Sequence, residues 1–337
     1  MRVPNSPLVV ALLLGVAASA AAQFKDGEPG GPQVTGKSQV SRWRIGMMIR
    51  STGGPCKGIV GYVPVPAEWP EQQVQVLKEE VSPGARLRYE TVDGGVKIMM
   101  VSIAQLPANA EAKALVTFEV RRTEILPPEN TDAYVLPDPK KVPANVKRYL
   151  SPSPKIECRD PKIRELAKRI GADKKKAWQR VEAIYDWVRG HMGYQHKSRA
   201  EIAAAQATGR PAIGALDVLR SGHGDCEGFT SLFVAICRAA EIPARTVWVY
   251  GHVYPEFYLV DGQGQGHWFP CQSIGSKGSA RQFGGITQLD PIMQKGDNIR
   301  PPKGKNRQRL LVETLVMSGQ KGAQPQCRFI REPAPRD

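Results

Sequence analysis

The sequence predicts two domains: an all-β, sandwich-like domain, followed by an α+β domain in which a cysteine opens a buried helix packed on an antiparallel sheet. Three observations predict this. Between Gln39 and Ile125, short runs rich in β-branched residues alternate with Gly and Pro turns. Between Asp160 and Ala240, apolar residues recur at spacings of three and four. From Arg245 to Gln272 the strand pattern returns, and helices followed by strands make an α+β arrangement. A length of 337 residues leaves each domain enough chain for a core.

Residues 1–22 read as a secretory signal peptide. Arg2 gives a positive start, Leu8 to Ala18 is apolar, and Ala20, Ala21 and Ala22 precede Gln23. The apolar run is shorter than the roughly 20 residues of a membrane span. The expected destination is the periplasm or the outside, with membrane contact at most peripheral. Residues 23–36 are rich in Gly, Pro and Lys and read as a loose linker. Residues 37–125 form the β-sandwich domain, with strands at Trp43–Ile49, Gly58–Val65, Gln73–Glu79, Arg86–Thr91, Val96–Ile103 and Ala112–Val120. Turn signals such as Thr52-Gly-Gly-Pro and Asp93-Gly-Gly separate them. No polar cluster there has catalytic spacing, which implies support or substrate orientation. The proline-rich stretch 126–154 reads as the interdomain linker, 155–320 as the second domain and 321–337 as a flexible tail.

In the second domain, Asp160 and Pro161 supply an N-cap and a first-turn proline, and Gly171 closes that helix. Ile163, Leu166, Ala167 and Ile170 form its apolar face. A second helix is expected from Lys174 to Arg189, a short one from Glu201 to Arg210, and a helical turn over Gly214–Arg220. The central helix starts at Cys226 behind Gly222, Gly224 and the N-cap Asp225. Phe229, Leu232, Phe233, Ile236 and Ala240 give it an apolar face, and Pro243 ends it.

A thiol on a first helical turn meets unpaired N–H groups and the positive end of the helix dipole. Both favour thiolate, so Cys226 is expected to be more acidic than a free cysteine. The same N–H groups suit an oxyanion. A thiol nucleophile needs a base and a group that orients the base. On the strand His252–Leu259, the period of two puts His252, Tyr254, Glu256 and Tyr258 on one face. On the next, His267–Gln272, Trp268 and Gln272 share a face, and antiparallel pairing brings Gln272 near His252.

The runs Gly224-Asp-Cys226, Arg238-Ala-Ala-Glu-Ile-Pro-Ala-Arg245, His252-x-x-x-Glu256-x-Tyr258 and Trp268-x-Pro270 resemble the transglutaminase-like superfamily of papain-like cysteine enzymes. The resemblance is closest over about Arg180 to Gln272, and more weakly the whole chain is similar to secreted bacterial proteins with an N-terminal β-domain. It implies a papain-like transglutaminase core with Cys226 as nucleophile and His252 as general base. The superfamily places an Asp two residues after the proline of this motif. Here Gln272 stands at that position; its neutral amide can orient the imidazole but brings no charge to it. Glu256, Asp225, Trp268 and His223 are further candidates to line or assist the site. Tyr194 and Trp248 are cleft or core residues.

Six cysteines in an exported chain raise the question of disulfides. Cys226 is expected to be free and Cys237 a core residue, while Cys56, Cys158, Cys271 and Cys327 leave one or two bridges open. There is no C-x-x-C and no His pair at helical spacing, so no metal or cofactor is expected. The formal charge of +15 suits an acidic envelope polymer or an anionic surface better than nucleic acid, for which no motif is present. Two function classes follow. One is an enzyme acting on the amide bonds of a protein or peptide, with release of the acyl group by water or by an amine. The other is a non-catalytic binding or scaffold module that keeps the fold. Oligomeric state is left open.

Overall fold

The computed structural model describes residues 31–208, 213–275, 280–318 and 323–334. The signal-peptide assignment lies outside these residues. The first domain is built from β1 (Ser38–Thr52), β2 (Cys56–Pro64), β3 (Gln72–Val81), β4 (Ala85–Val92), β5 (Val96–Leu106) and β6 (Glu111–Thr123). They fall into two four-stranded antiparallel sheets, with two strands from the far end of the chain: β13 (Thr314–Val316) and β14 (Gln324–Pro333). The sheet orders are β14-β1-β6-β3 and β13-β2-β5-β4. Alternation makes the core. Ile45, Met47 and Ile49 of β1, Met99 and Val101 of β5, and Val116, Phe118 and Val120 of β6 share one apolar cluster.

The C-terminal tail expected to be loose is, over ten residues, a strand paired with β1 from Trp43↔Pro333 to Thr52↔Gln324. The second domain therefore does not run on to residue 320, and the sandwich is made of two separated stretches. The reason lies in the composition of an edge strand. Only Ile330 in β14 is buried, so the strand's polar alternation reads like a solvated tail. Deleting residues 323–337 should uncover the β1 edge, cost about 2 kcal/mol or more from lost apolar burial, and promote self-association. A variant with unchanged Tm and no added light scattering would rule that out.

The described residues of the linkers are also tied down. Gln33 and Leu126 exchange backbone hydrogen bonds. Along 126–154, which includes α1 (Ala144–Lys147), Tyr134 and Tyr149 are buried and Val135 bridges Val260.

The second domain contains α2 (Pro161–Arg169), α3 (Ala177–His191), α4 (Arg199–Thr208), α5 (Ala215–Ser221) and α6 (Cys226–Ala239). Asp160 caps α2 by accepting from the Lys162 N–H at 2.9 Å. The helix expected from Lys174 begins three residues later, so the lysine run precedes it. Helix α6 is buried on nearly every side, packing on α2, α3 and α5 and on the sheet β11-β10-β9-β12. Those strands are β9 (Ala244–Val249), β10 (His252–Val260), β11 (Gly266–Pro270) and β12 (Ile292–Lys295). A two-residue parallel pairing of β7 (Gly193–Tyr194) with β8 (His223–Gly224) leads into α6. All six cysteines are free, so the disulfides left open in the sequence do not form.

The two domains are joined through the outer face of the β9–β12 sheet. Gln72 imitates a strand, with its Nε2 donating to Ile292 O at 2.9 Å and its Oε1 accepting from Ile292 N at 2.6 Å. Arg122, fully buried, donates to Tyr254 Oη at 3.2 Å. Lys295 sits between Glu71 of the sandwich (2.5 Å) and Glu256 of β10 (2.7 Å).

Candidate active site

Cys226 is placed by a loop that only glycine permits. Gly222 ends α5 with φ 74°, in the left-handed region. A Cβ on Gly224 or Gly228 would come within 2.9 and 2.6 Å of Val218 Cγ2, so the chain around Cys226 lies directly on α5. Asp225 caps α6 by accepting from the Gly228 N–H at 3.0 Å, and its other oxygen meets Lys197 Nζ at 2.6 Å.

The pairing partner of β10 decides the rest. Strand β11 pairs with β10 only from Glu256↔Pro270 onward. The His252–Tyr254 edge of β10 is thus left open on that side. There the Val253 and Glu227 N–H groups donate to the Cys226 thiol, and Thr230 Oγ1 donates to Val253 O at 3.3 Å. Just past β11, Gln272 turns back to this edge, and its amide nitrogen lies 2.8 Å from His252 Nε2. Arg189 holds the Gln272 backbone in place, donating to the carbonyls of Gln272 (3.2 Å) and Ile274 (2.9 Å). Gln272 Oε1 is buried without a partner. Turning the amide end for end gives that oxygen the imidazole Nε2–H. Nδ1 is then the nitrogen left to take a proton. Gln272 and His252 therefore meet at this strand edge, and the Cys226 thiol accepts from the backbone of Val253, the residue next to His252.

The electrostatics differ from the sequence expectation. Cys226 has no exposed surface, and burial, followed by the Asp225 carboxylate, pushes its thiol up to about 12. The two N–H donors and the helix dipole act in the opposite direction and are outweighed. Burial likewise pulls His252 down to about 4, with the Gln272 contact and Asp290 working against that and Arg199 adding to it. The closed site therefore holds a neutral thiol and a neutral imidazole. Among the described residues no hydrogen bond joins them. Helix α4 and the chain near 310 form the cover: Ile202 and Leu310 pack with Cys226, Trp248 and Val253. Gln206 of α4 clamps the β9–β10 turn, donating to Val249 O and His252 O and accepting from Gly251 N.

Three other candidates lie elsewhere. Glu256 is on the His252 face, but the sandwich domain covers that face. Although burial opposes it, the Lys295 ammonium and the Arg245 guanidinium hold its carboxyl well below the usual range. Trp268 packs on Tyr258 and beneath Arg245, whose Cζ is 4.0 Å from its ring centroid, and does not line the thiol. His223 is exposed and bonds back to Ser221 O. The sequence reading missed Lys197, Arg199, Asp290 and Arg309, which surround the site from segments with no recognisable spacing relative to Cys226. Among the described residues, no group of three His, Cys, Asp or Glu is placed to hold a metal ion.

Residues 164–273 match the family described as Transglutaminase-like superfamily. Kyphoscoliosis peptidase is 38% identical over 69 residues in Homo sapiens and 35% identical over 69 residues in Mus musculus. That stretch is 20% of this chain, which spans only 10% of the length of these curated relatives. A crystal structure of a candidate cysteine protease from Cytophaga hutchinsonii superposes with a TM-score of 0.52 at 16% identity, over 89% of this chain and 93% of the other. At that identity the likeness is one of fold, and it extends across both domains. Residues 164–273, the stretch that matches the Transglutaminase-like superfamily, hold Cys226, His252 and Gln272.

Proposed function

We propose that the protein is an exported cysteine enzyme that breaks or exchanges amide bonds in proteins or peptides through Cys226, His252 and Gln272. The observation that supports this reading is the Gln272 amide on His252 beside Val253, whose backbone N–H donates to the Cys226 thiol. Cys226 Sγ attacks the carbonyl carbon while its proton passes to His252 Nδ1. The C–N bond breaks as that proton is delivered to the leaving amine. The acyl-enzyme is released by water or by a second amine. Hydrolysis is favoured by the relatives, which are named as peptidases and a candidate protease.

Proton transfer from a thiol near 12 to an imidazole near 4 is steeply uphill, by about 1.4 kcal/mol per unit of difference. In this proposal water reaches Cys226 and His252 before the chemistry, past the cover that Ile202 and Leu310 form over the thiol. Rehydration then brings both groups back toward their ordinary values.

The test is turnover of a labelled peptide library by mature protein. Wild type should cleave or transfer, and Cys226→Ala should not. His252→Ala should lose about 10²–10⁴-fold, the usual contribution of a general base. Unchanged turnover in Cys226→Ala would sink the proposal. The closed, uncharged site favours a second reading, a non-catalytic binding or scaffold module of the cell envelope. That reading takes over if wild type is inert and Gln272→Asp, which adds a charge beside the imidazole, creates turnover from nothing.

A further inference from the structure

Beside Cys226, three buried N–H donors meet no acceptor among the described residues: Nε and Nη1 of Arg309, and Nε1 of Trp248. Arg309 is 6% exposed and Trp248 2%. They are neighbours, with the guanidinium carbon 5.4 Å from the indole centroid. Both flank the nucleophile. Trp248 packs in the same small cluster as Cys226, and Arg309 Nη2 donates to the carbonyl of Glu227, the next residue, at 3.1 Å. The Glu227 carboxylate stands 3.8 Å from Nη1, beyond hydrogen-bond reach, with its side chain 22% exposed.

Leaving a buried donor unpaired is costly, and more so when the group is charged. Arg309 keeps its charge at any working pH. One nitrogen is fixed on the Glu227 carbonyl, and this orients the other two. A cation with two free N–H positions, next to a free indole N–H, calls for an anion. The anion that a polypeptide brings to a thiol is a carboxylate.

We propose that Arg309 and Trp248 form a carboxylate-binding subsite beside Cys226, which selects substrates carrying an acidic side chain or a free chain terminus next to the reacting amide. The proposal rests on the reading of Cys226 as nucleophile, but only to say what the subsite serves. Glu227 competes for Arg309 when no ligand is bound.

The experiment uses Cys226→Ala protein, in which no acyl chemistry is possible, and measures binding by thermal shift and titration calorimetry. The probes are N-acetylglutamic acid α-amide, N-acetylglutamine and N-acetylglutaminamide. The first carries only a side-chain carboxylate, the second only a terminal one, the third none. At least one carboxylate probe should bind about ten- to a hundredfold more tightly than the neutral one, and which of the two does so identifies the source. Adding Arg309→Gln should remove the difference. Adding Glu227→Gln should enlarge it, a gain that a purely structural Arg309 would not give. Equal behaviour of all three probes overturns the proposal without any change at Arg309, as does a difference that survives Arg309→Gln. A selective subsite in a protein with no Cys226-dependent turnover would instead count against the enzymatic reading alone.

Discussion

Iodoacetamide is expected to alkylate Cys226 about a hundredfold more slowly at pH 7 than it alkylates a free cysteine peptide, with the rate rising about tenfold per pH unit up to pH 10. The thiolate is the reacting species, and burial with the adjacent Asp225 pushes this thiol up to about 12. A shift of that size cuts the thiolate fraction by about three and a half decades relative to an ordinary cysteine, and the greater intrinsic nucleophilicity of a more basic thiolate restores about half of that. His252, pulled down to about 4 by burial, stays uncharged through neutral pH and supplies no imidazolium to hold a thiolate. The rate should therefore show no plateau between pH 6 and 8. Cys226→Ala identifies the thiol, because the other cysteines are themselves buried or half-buried. A fast reaction that is flat from pH 6 to 8 would mean a preformed thiolate–imidazolium pair and would refute the closed, neutral state. A mutation that loosens the cover, such as Ile202→Gly in α4, should move the profile toward that of an ordinary cysteine.

This outcome marks where sequence reasoning reaches its limit. The dipole and capping argument at Cys226 is local: it concerns one helix turn and its N–H groups, and it identifies those groups correctly. The acidity of the thiol is set first by its burial, to which Ile202 and Leu310 contribute from distant points in the chain, and then by Asp225. No spacing rule contains Ile202 or Leu310. The meeting of His252 with Gln272 was legible because His252 opens β10 and Gln272 lies two residues past β11, its antiparallel neighbour, so that alternation and a short turn bring the two together. The same alternation put Glu256 on the face of His252, and it is there. What alternation does not carry is the identity of the layer that covers the face. Lys295, Glu71 and Arg122 fill it, so Glu256 ends in a buried ion cluster instead of a cleft. Strand β14 was lost for the opposite reason. A strand exposed along most of its length has the composition of a solvated tail, and only the unfilled edge of β1 reveals that something must pair there.

Replacing Lys295 by Met should destabilise the protein by about 3–5 kcal/mol at pH 7, the range found when one partner of a buried ion pair is removed. Lys295 is 4% exposed and lies between the Glu71 and Glu256 carboxylates, at 2.5 and 2.7 Å. Glu256 would retain Arg245, at 2.7 Å, but Glu71 would lose its one ion-pair partner among the described residues. For a chain of this size the Tm should fall by about 6 °C or more, and a shift of about 1 °C or less would show that the cluster is not what holds the domains together. The pH dependence follows from the carboxylates. In the wild type, Lys295 and Arg245 keep Glu256 ionised to well below its ordinary pKa. The stabilisation from the cluster is therefore complete above about pH 4.5, the ordinary glutamate range, and is lost as the pH falls through the lowered folded value. In Lys295→Met the Glu256 carboxyl loses one of its two cations, protonates sooner and relieves its own burial penalty, so the gap between variant and wild type should close as the pH drops below about 4.5. A double change, Lys295→Met with Glu71→Gln, leaves no unpaired charge at Glu71 and should recover part of the loss at pH 7. The cluster sits four residues along β10 from His252, and Arg122 grips Tyr254 two residues away. The sandwich domain thus fixes the strand that carries His252, and under the proposed function a loosened cluster should lower turnover at temperatures where the variant is still folded.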